Sequence, residues 1–248
     1  MRTIVIGDIH GSYLSLKDLL ALCEFDNQKD RLICIGDYVD GWPESVELVD
    51  FLIDLQKASS DRHIYLKGNH DQWFLDILNK DFLSFENQDL IKAKYFNWIK
   101  NGGLSTYESY LAIPDTKREY HRANFYDKLQ NFYIENEVLF VHAGFDYKQP
   151  FLEGVEFDRN SLFWNRSLFE KAVQIWGLEK EGANTQDVEN FGGFKQIFIG
   201  HTPTSNYGIE KPIKMHNVIN VDQGCKIDGK LSGWVLETGE YYQSKKRV

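Results

Sequence analysis

The chain has 248 residues, 42% hydrophobic, 26% charged and 15% aromatic, a composition that excludes a disordered polypeptide and suffices for one sizeable core. Its formal net charge of −9 speaks against a general nucleic-acid-binding surface, although carboxylates gathered around metal cations would look more acidic than they act. Three scattered cysteines, Cys23, Cys34 and Cys225, exclude a disulfide framework or a zinc ribbon and read as small core residues in a reducing compartment.

Thr3 to Ile6 is a short β-branched run that stops at Gly7. Asp8, Ile9, His10 and Gly11 follow before a helical pattern begins at Ser12, with Leu14, Leu16, Leu19, Leu20 and Leu22 as its predicted apolar stripe. The unit repeats: Leu32 to Ile35 is a strand, Gly36 to Trp42 a loop, and Pro43 suits the first turn of a helix carrying Val46, Val49, Leu52 and Leu55. A third strand, His63 to Leu66, ends at Gly68-Asn69-His70-Asp71. This β-α-β-α-β order predicts a parallel sheet with right-handed crossovers. From Gln72 to about Gln130 the pattern is helical, including Leu90 to Ile99 and Leu104 to Ile113, with breaks at Asn101-Gly102-Gly103 and at Pro114. It reads as a helical cap or insertion beside the sheet.

Phe132 to Glu135 and Val138 to Val141 are predicted strands, the second ending at His142-Ala143-Gly144. An irregular segment, Phe145 to Asn160, leads to Leu162–Arg166 and a helix near Leu168 to Trp176. Gln196 to Ile199 is a strand ending at Gly200-His201-Thr202-Pro203. Val218 to Val221, Leu231 to Leu236 and Glu240 to Tyr242 are expected to pair as antiparallel strands, and Lys245, Lys246 and Arg247 to form a solvated end. The N-terminus shows no signal-peptide region, and no run approaches the ~20 apolar residues that cross a bilayer. A single cytoplasmic domain over residues 1–248 is therefore expected, with neither a nucleic-acid nor a membrane partner.

Asp8, His10, Asp37, Asn69, His142 and His201 all follow predicted strands directly. In open α/β sheets the loops leaving the carboxyl ends of the strands form the crevice where ligands bind. Alone, Asp8 or Asn69 suits a turn or a helix cap, and a single histidine suits a structural hydrogen bond. Neither explanation covers five strands that each end in Asp, Asn or His beside a glycine. Imidazole, carboxylate and amide oxygen together suit manganese, iron or zinc. Six such ligands exceed the needs of one ion. With one carboxylate bridging, they can hold two divalent metals about 3.5–4 Å apart, the arrangement that clamps attacking and leaving oxygens in phosphoryl hydrolysis. Asp37, central in order, is the natural bridge.

Gly7-Asp8-Ile9-His10-Gly11, Gly36-Asp37-Tyr38-Val39-Asp40, Gly68-Asn69-His70-Asp71, His142-Ala143-Gly144 and Gly200-His201-Thr202-Pro203 resemble the ordered motifs of the calcineurin-like metallophosphoesterases. More narrowly the set resembles the phosphoprotein phosphatase branch with its bacterial and phage members, as do Leu162-Phe163-Trp164-Asn165-Arg166 and Val221-Asp222-Gln223-Gly224. The resemblance implies a two-sheet α/β sandwich with four αββα layers, a binuclear metal centre and hydrolysis of phosphate esters. It implies that Asp8, His10 and Asp37 hold one metal and that Asp37, Asn69, His142 and His201 hold the other, manganese being the first expectation. It makes His70 the general acid, Asp40 the carboxylate that orients and charges it, and Arg166 and Asn69 the grip on phosphate oxygens.

The chain has Gly41-Trp42 where that branch usually has Arg-Gly, and Asp71 where it usually has Glu, as in relatives that cleave diadenosine tetraphosphate. Trp42 then either lines a pocket for a base or ring, or packs beside Pro43. The leading expectation is a phosphatase of phosphomonoesters, phosphoserine and phosphothreonine in proteins above all. Cleavage of a dinucleoside polyphosphate is the alternative, and a non-catalytic scaffold the third. The expected partner is a phosphorylated protein or a small phosphoester.

Overall fold

Successive residues of the central strands face different apolar layers, and this alternation builds the whole molecule. The computed structural model describes residues 1–80, 93–148, 151, 159–185 and 187–247. In chain order its first half contains β1 (Arg2–Ile6), α1 (Tyr13–Leu22), β2 (Asp30–Cys34), α2 (Ser45–Ala58), β3 (Ile64–Tyr65), α3 (Asn69–Lys80), α4 (Phe96–Trp98), α5 (Leu104–Leu111) and α6 (Asp115–Asn124). The second half contains β4 (Phe132–Glu135), β5 (Val138–Val141), α7 (Arg159–Trp164), α8 (Ser167–Lys180), β6 (Gln196–Ile199), β7 (Ile213–Met215), β8 (Val218–Asn220), α9 (Cys225–Asp228), β9 (Ser232–Val235) and β10 (Tyr241–Gln243).

The strands form two five-stranded mixed sheets, ordered β10-β9-β1-β2-β3 and β4-β5-β6-β8-β7. In the first, Ile4, Ile6, Leu32 and Cys34 point outward into a core shared with α1, α2 and the helices after β3. Val5, Ile33 and Ile35 point the other way. In the second sheet Leu139, Val141, Ile197 and Ile199 pack outward against α7 and α8, while Phe140, Phe198 and Ile219 face inward. The inward sets meet in one apolar layer between the sheets, with Phe140 and Phe198 stacked at 5.2 Å. Strands buried on both faces read as continuous apolar runs, which is how these strands appear in the sequence. The result is the expected four-layer α/β sandwich.

Among the described residues the helical stretch after α3 packs into the first sheet's outer core. Trp98, Tyr107, Tyr110, Phe125 and Tyr126 belong to the first sheet's outer core, and the chain has returned to that sheet by Gln130, which bridges Leu66. Leu90, Ile91 and Lys92 of the predicted helical run, and most of the irregular segment 145–160, lie outside the described residues.

Five expectations are corrected. Of the predicted apolar stripe of α1 only Leu16, Leu19 and Leu20 are buried, and Leu14 and Leu22 are exposed. Val218–Asn220 pairs parallel with β6 and antiparallel only with β7, so the second sheet carries three parallel strands; the partner strand Ile213–Met215 was not foreseen. Pro43 precedes α2 by two residues instead of starting it. Helix α3 begins at Asn69 and not after Asp71. The C-terminal Arg247 is no solvated end: its guanidinium makes two 2.6 Å bonds to the Glu44 carboxylate and lies 4.1 Å from the centre of the Trp42 ring. Trp42 donates its indole N–H to the Cys225 carbonyl at 2.8 Å. It is therefore a packing residue.

Candidate metal centre

Strands β1, β2 and β3 are mutually parallel, as are β5, β6 and β8. Their carboxyl ends meet at one edge of the sandwich, so short loops deliver Asp8, His10, Asp37, Asn69, His142 and His201 to the same place. All six are buried. His10, Asp37, Asp40 and His201 adopt positive φ of 51°, 53°, 70° and 64°, a conformation that costs energy without a glycine and that collects at functional sites. The glycines beside them have a steric task. A Cβ at Gly68 would collide with Asp37 Oδ1, and one at Gly200 with Asp8 Oδ1, so both carboxylates are seated in space that only glycine leaves free.

The histidine rings are aimed by the backbone. His10 Nδ1 donates to the Val39 carbonyl at 3.0 Å, and His142 Nδ1 to the Ile35 carbonyl at 3.0 Å. Each Nε2 is thereby turned toward Asp37 Oδ2, at 3.7 Å from His10 and 3.4 Å from His142. Asn69 Oδ1 stands 3.1 Å from His142 Nε2 and 2.9 Å from His201 Nδ1. Asp8 Oδ2 accepts the His201 backbone N–H at 2.9 Å. Among the described residues two groups of side chains are close enough to hold a cation, Asp37 with His10 and His70, and Asp37 with His142 and His201. Asp37 is common to both.

The charges explain why a cation is wanted. Asp8, Asp37 and Asp222 are buried together. Burial and the Asp222 charge raise Asp8 well above the usual carboxylate range, and burial pushes Asp222 up to about 6. Burial opposes ionisation of Asp37 as well, yet the His142 and His70 rings hold it well below its ordinary value. Burial also works against charging His142, but Asp37 and Asp8 outweigh it and raise that ring to about 10. Burial, aided by His70, drops His10 to about 3, and burial, aided by His142, drops His201 to about 2. Neutral imidazoles are the form that binds metal. Among the described residues Asp8 Oδ1 and His201 Nε2 have no hydrogen-bond partner, a cost of several kcal/mol unless a cation meets them. The donor set therefore fits two divalent ions.

Beside this cluster, His70 Nδ1 donates to Asp40 Oδ2 at 2.7 Å. Asp40 is fully buried, and the same oxygen accepts the Trp98 indole N–H at 2.7 Å, while the Asp40 amide donates to Thr106 Oγ1 at 2.8 Å. The helical stretch thus braces the carboxylate that holds His70. Replacing Trp98 by Phe keeps the ring in the core and removes one charge-assisted hydrogen bond, worth about 1.5–3 kcal/mol. The expected result is a kcat lower by roughly tenfold with KM and metal content unchanged, measured by steady-state kinetics and elemental analysis.

His10, Asp37, Asn69, His70, His201, Arg166 and Asp222 line one cleft of ≈ 230 Å³. All nine residues singled out from the sequence meet at or beside it. Arg166 sits on the rim, its Nη1 donating to Thr202 Oγ1 at 2.9 Å. Asp71 holds the Asp37 loop: it accepts the backbone N–H of Asp37, Tyr38 and Gly68 at 2.8–2.9 Å. Sequence reasoning gave no role to the cleft residues Trp73 and Lys226, nor to Trp164 and Asp222, which stand in the motifs quoted above. Asp222 was visible, since it follows a strand in the same manner as the others. Trp73 lies one helical turn after His70, and Trp164 two residues before Arg166.

A buried cluster of imidazoles and carboxylates that share one aspartate, next to a histidine held by its own carboxylate, has the donor set of a binuclear metal hydrolase. The family model of the calcineurin-like phosphoesterases matches residues 1–205, and the chain belongs to that family. It is 34% identical over 120 residues to a symmetrical bis(5'-nucleosyl)-tetraphosphatase of Coxiella burnetii strain RSA 331, a match covering 45% of this chain and 39% of that protein. The chain thus spans about two fifths of that relative's length. It is 25% identical over 248 residues to the asymmetrical bis(5'-nucleosyl)-tetraphosphatase PrpE of Bacillus mycoides strain KBAB4, covering 94% of this chain and 89% of that one.

Among solved structures, a candidate diadenosine tetraphosphatase superposes with TM-score 0.63 at 20% identity, covering 100% and 94% of the two chains. A protein serine/threonine phosphatase from Saccharomyces cerevisiae gives 0.57 at 16%, covering 100% and 81%. At such identities the likeness shows the fold. No helix among the described residues is long and apolar enough to cross a membrane.

Proposed function

We propose that this chain is a metal-dependent phosphohydrolase whose substrate is a dinucleoside polyphosphate. The observation that carries the choice of substrate is the aromatic rim of the cleft. Trp73 and Trp164 stand with ring centres 4.9 Å apart, Trp73 5.2 Å from His70 and Trp164 5.6 Å from His201, and Trp164 is 41% exposed. Exposed aromatic faces beside a phosphate site are stacking platforms for a nucleobase. A phosphoserine or phosphothreonine side chain would use the same centre but leave the exposed Trp164 face unused, while Trp73 also packs against the first sheet's outer core. The tetraphosphatase names of the relatives support the same reading.

Asp8, His10 and Asp37 hold one cation and Asp37, Asn69, His142 and His201 the other, manganese by preference with iron or zinc as substitutes. When bound, the pair neutralises phosphate charge and lowers the pKa of coordinated water. His70, with Nδ1 tied to Asp40, presents Nε2 to the leaving oxygen and donates its proton there. Arg166 offers paired donors to phosphate oxygens from the rim. The test is turnover of diadenosine tetraphosphate beside a phosphoserine peptide with manganese present. A kcat/KM at least about tenfold higher for the dinucleotide is expected; a preference for the peptide would overturn the choice of substrate.

A further inference from the structure

Lys226 lines the cleft without a part in the chemistry assigned above. It stands in α9, at the turn that follows β8, and its stem runs along a track cleared by two glycines from separate segments. A Cβ at Gly41 would come within 3.2 Å of Lys226 Cγ, and one at Gly102 within 3.2 Å of its Cε. Both glycines have positive φ, 146° and 93°, so neither position favours a side chain. At the end of the track Nζ donates to the Asn101 carbonyl and lies 3.5 Å from His70 Nε2. An ammonium has three N–H groups. One is held by Asn101, which leaves two for a ligand in the cleft beside His70 Nε2.

That address decides what Lys226 does. Metals and Arg166 serve the phosphoryl group that is transferred, whereas Lys226 lies on the side to which the leaving group departs. A neutral alcohol arriving there carries no charge for an ammonium to meet. A leaving phosphate does, and in a cleft lined by Asp37 and Asp222 its negative charge is repelled unless a cation compensates it. We propose that Lys226 grips the phosphate of the leaving group beside His70, so that the site selects phosphoanhydrides over phosphomonoesters of neutral alcohols. The inference rests on the hydrolase reading above. In the reaction the bridging P–O bond breaks, water supplies the new oxygen on the transferred phosphorus, and the leaving phosphate departs with the bond's electron pair. It takes its proton from His70, which is reprotonated from solvent as the attacking water gives its own proton up to solvent, while Lys226 meets the leaving charge and is not consumed.

The test is calorimetric titration of two anions into manganese-loaded protein: inorganic phosphate, which fills only the transferred position, and methylenediphosphonate, an uncleavable pair of linked phosphorus groups that reaches both. Lys226→Met is expected to raise the Kd of the diphosphonate about tenfold, the scale of one lost charge-assisted hydrogen bond. The Kd of phosphate should stay within about twofold. Lys226→Arg keeps the charge and should lose about threefold or less on the diphosphonate. Thermal melting of each variant confirms folding, since the side chain is only partly buried. A parallel rise of both constants, or no change in either, overturns the proposal. If the unaltered protein leaves diadenosine tetraphosphate intact while its diphosphonate affinity still depends on Lys226, the dinucleotide reading fails and the leaving-phosphate grip stands.

Discussion

Asp37→Ala is expected to remove metal binding and turnover together, and to do so more completely than any other single exchange in the centre. Asp37 is the one carboxylate common to both candidate cation groups. Its Oδ2 faces His10 and His142, and its Oδ1 accepts the His70 backbone N–H at 2.9 Å. Losing it removes the ligand shared by both candidate cation groups, so turnover is expected to fall by at least about 10³-fold, to the level of the metal-free protein. Elemental analysis should find less than about one ion per chain, where the unaltered protein holds about two. Chelation should silence the unaltered protein and manganese restore it, whereas manganese should not rescue the variant. Thermal melting checks that the variant folds, since losing Asp37 relieves repulsion on Asp8 and Asp222 but also takes away the counter-charge of His142. An Asp37→Ala protein that keeps two ions per chain would remove the bridging assignment.

The centre was legible in the sequence because parallel strands bring their carboxyl ends to one edge whatever their order in the chain. Asp8, Asp37, Asn69, His142 and His201 needed only to follow apolar runs to be placed together. What the sequence does not carry is partnership between distant segments. Val218–Asn220 looks the same locally whether it pairs parallel or antiparallel, and its parallel pairing with β6 is decided by the second sheet's connectivity. Ile213–Met215 is three residues long and follows a proline, too little pattern to read as a strand. Trp98 and Thr106 lie 58 and 66 residues from Asp40, so nothing nearby marks them as its braces. The break at Asn101-Gly102-Gly103 was visible, but not its purpose: Gly102 lets the backbone approach Asp40 and Gly41, and Gly103 clears the Trp98 ring. Gly41 marked a departure from the protein-phosphatase pattern, and the structure shows the stem of Lys226 beside it.

His70→Asn carries the other large effect, and its signature separates acid chemistry from metal chemistry. The Nδ1 bond to Asp40 fixes the ring, so that Nε2 faces the cleft. Losing a positioned acid costs about 10²–10⁴ in rate. The variant should keep about two ions per chain, because the six proposed ligands are untouched, and its kcat should fall roughly 10³-fold on an alkyl phosphate such as phosphoserine. A nitrophenyl phosphate needs little protonation to depart, so the same exchange should cost it only about tenfold. Asp40→Asn should fall part of the way, since it disorients the acid without deleting it. Adding it to His70→Asn should then change nothing further, because two residues acting as one unit are not additive. Equal losses on both substrates would mean that His70 holds the site together instead of giving a proton. In that event the lost rate should track lost metal, and the elemental analysis that identifies Asp37 would identify His70 as well.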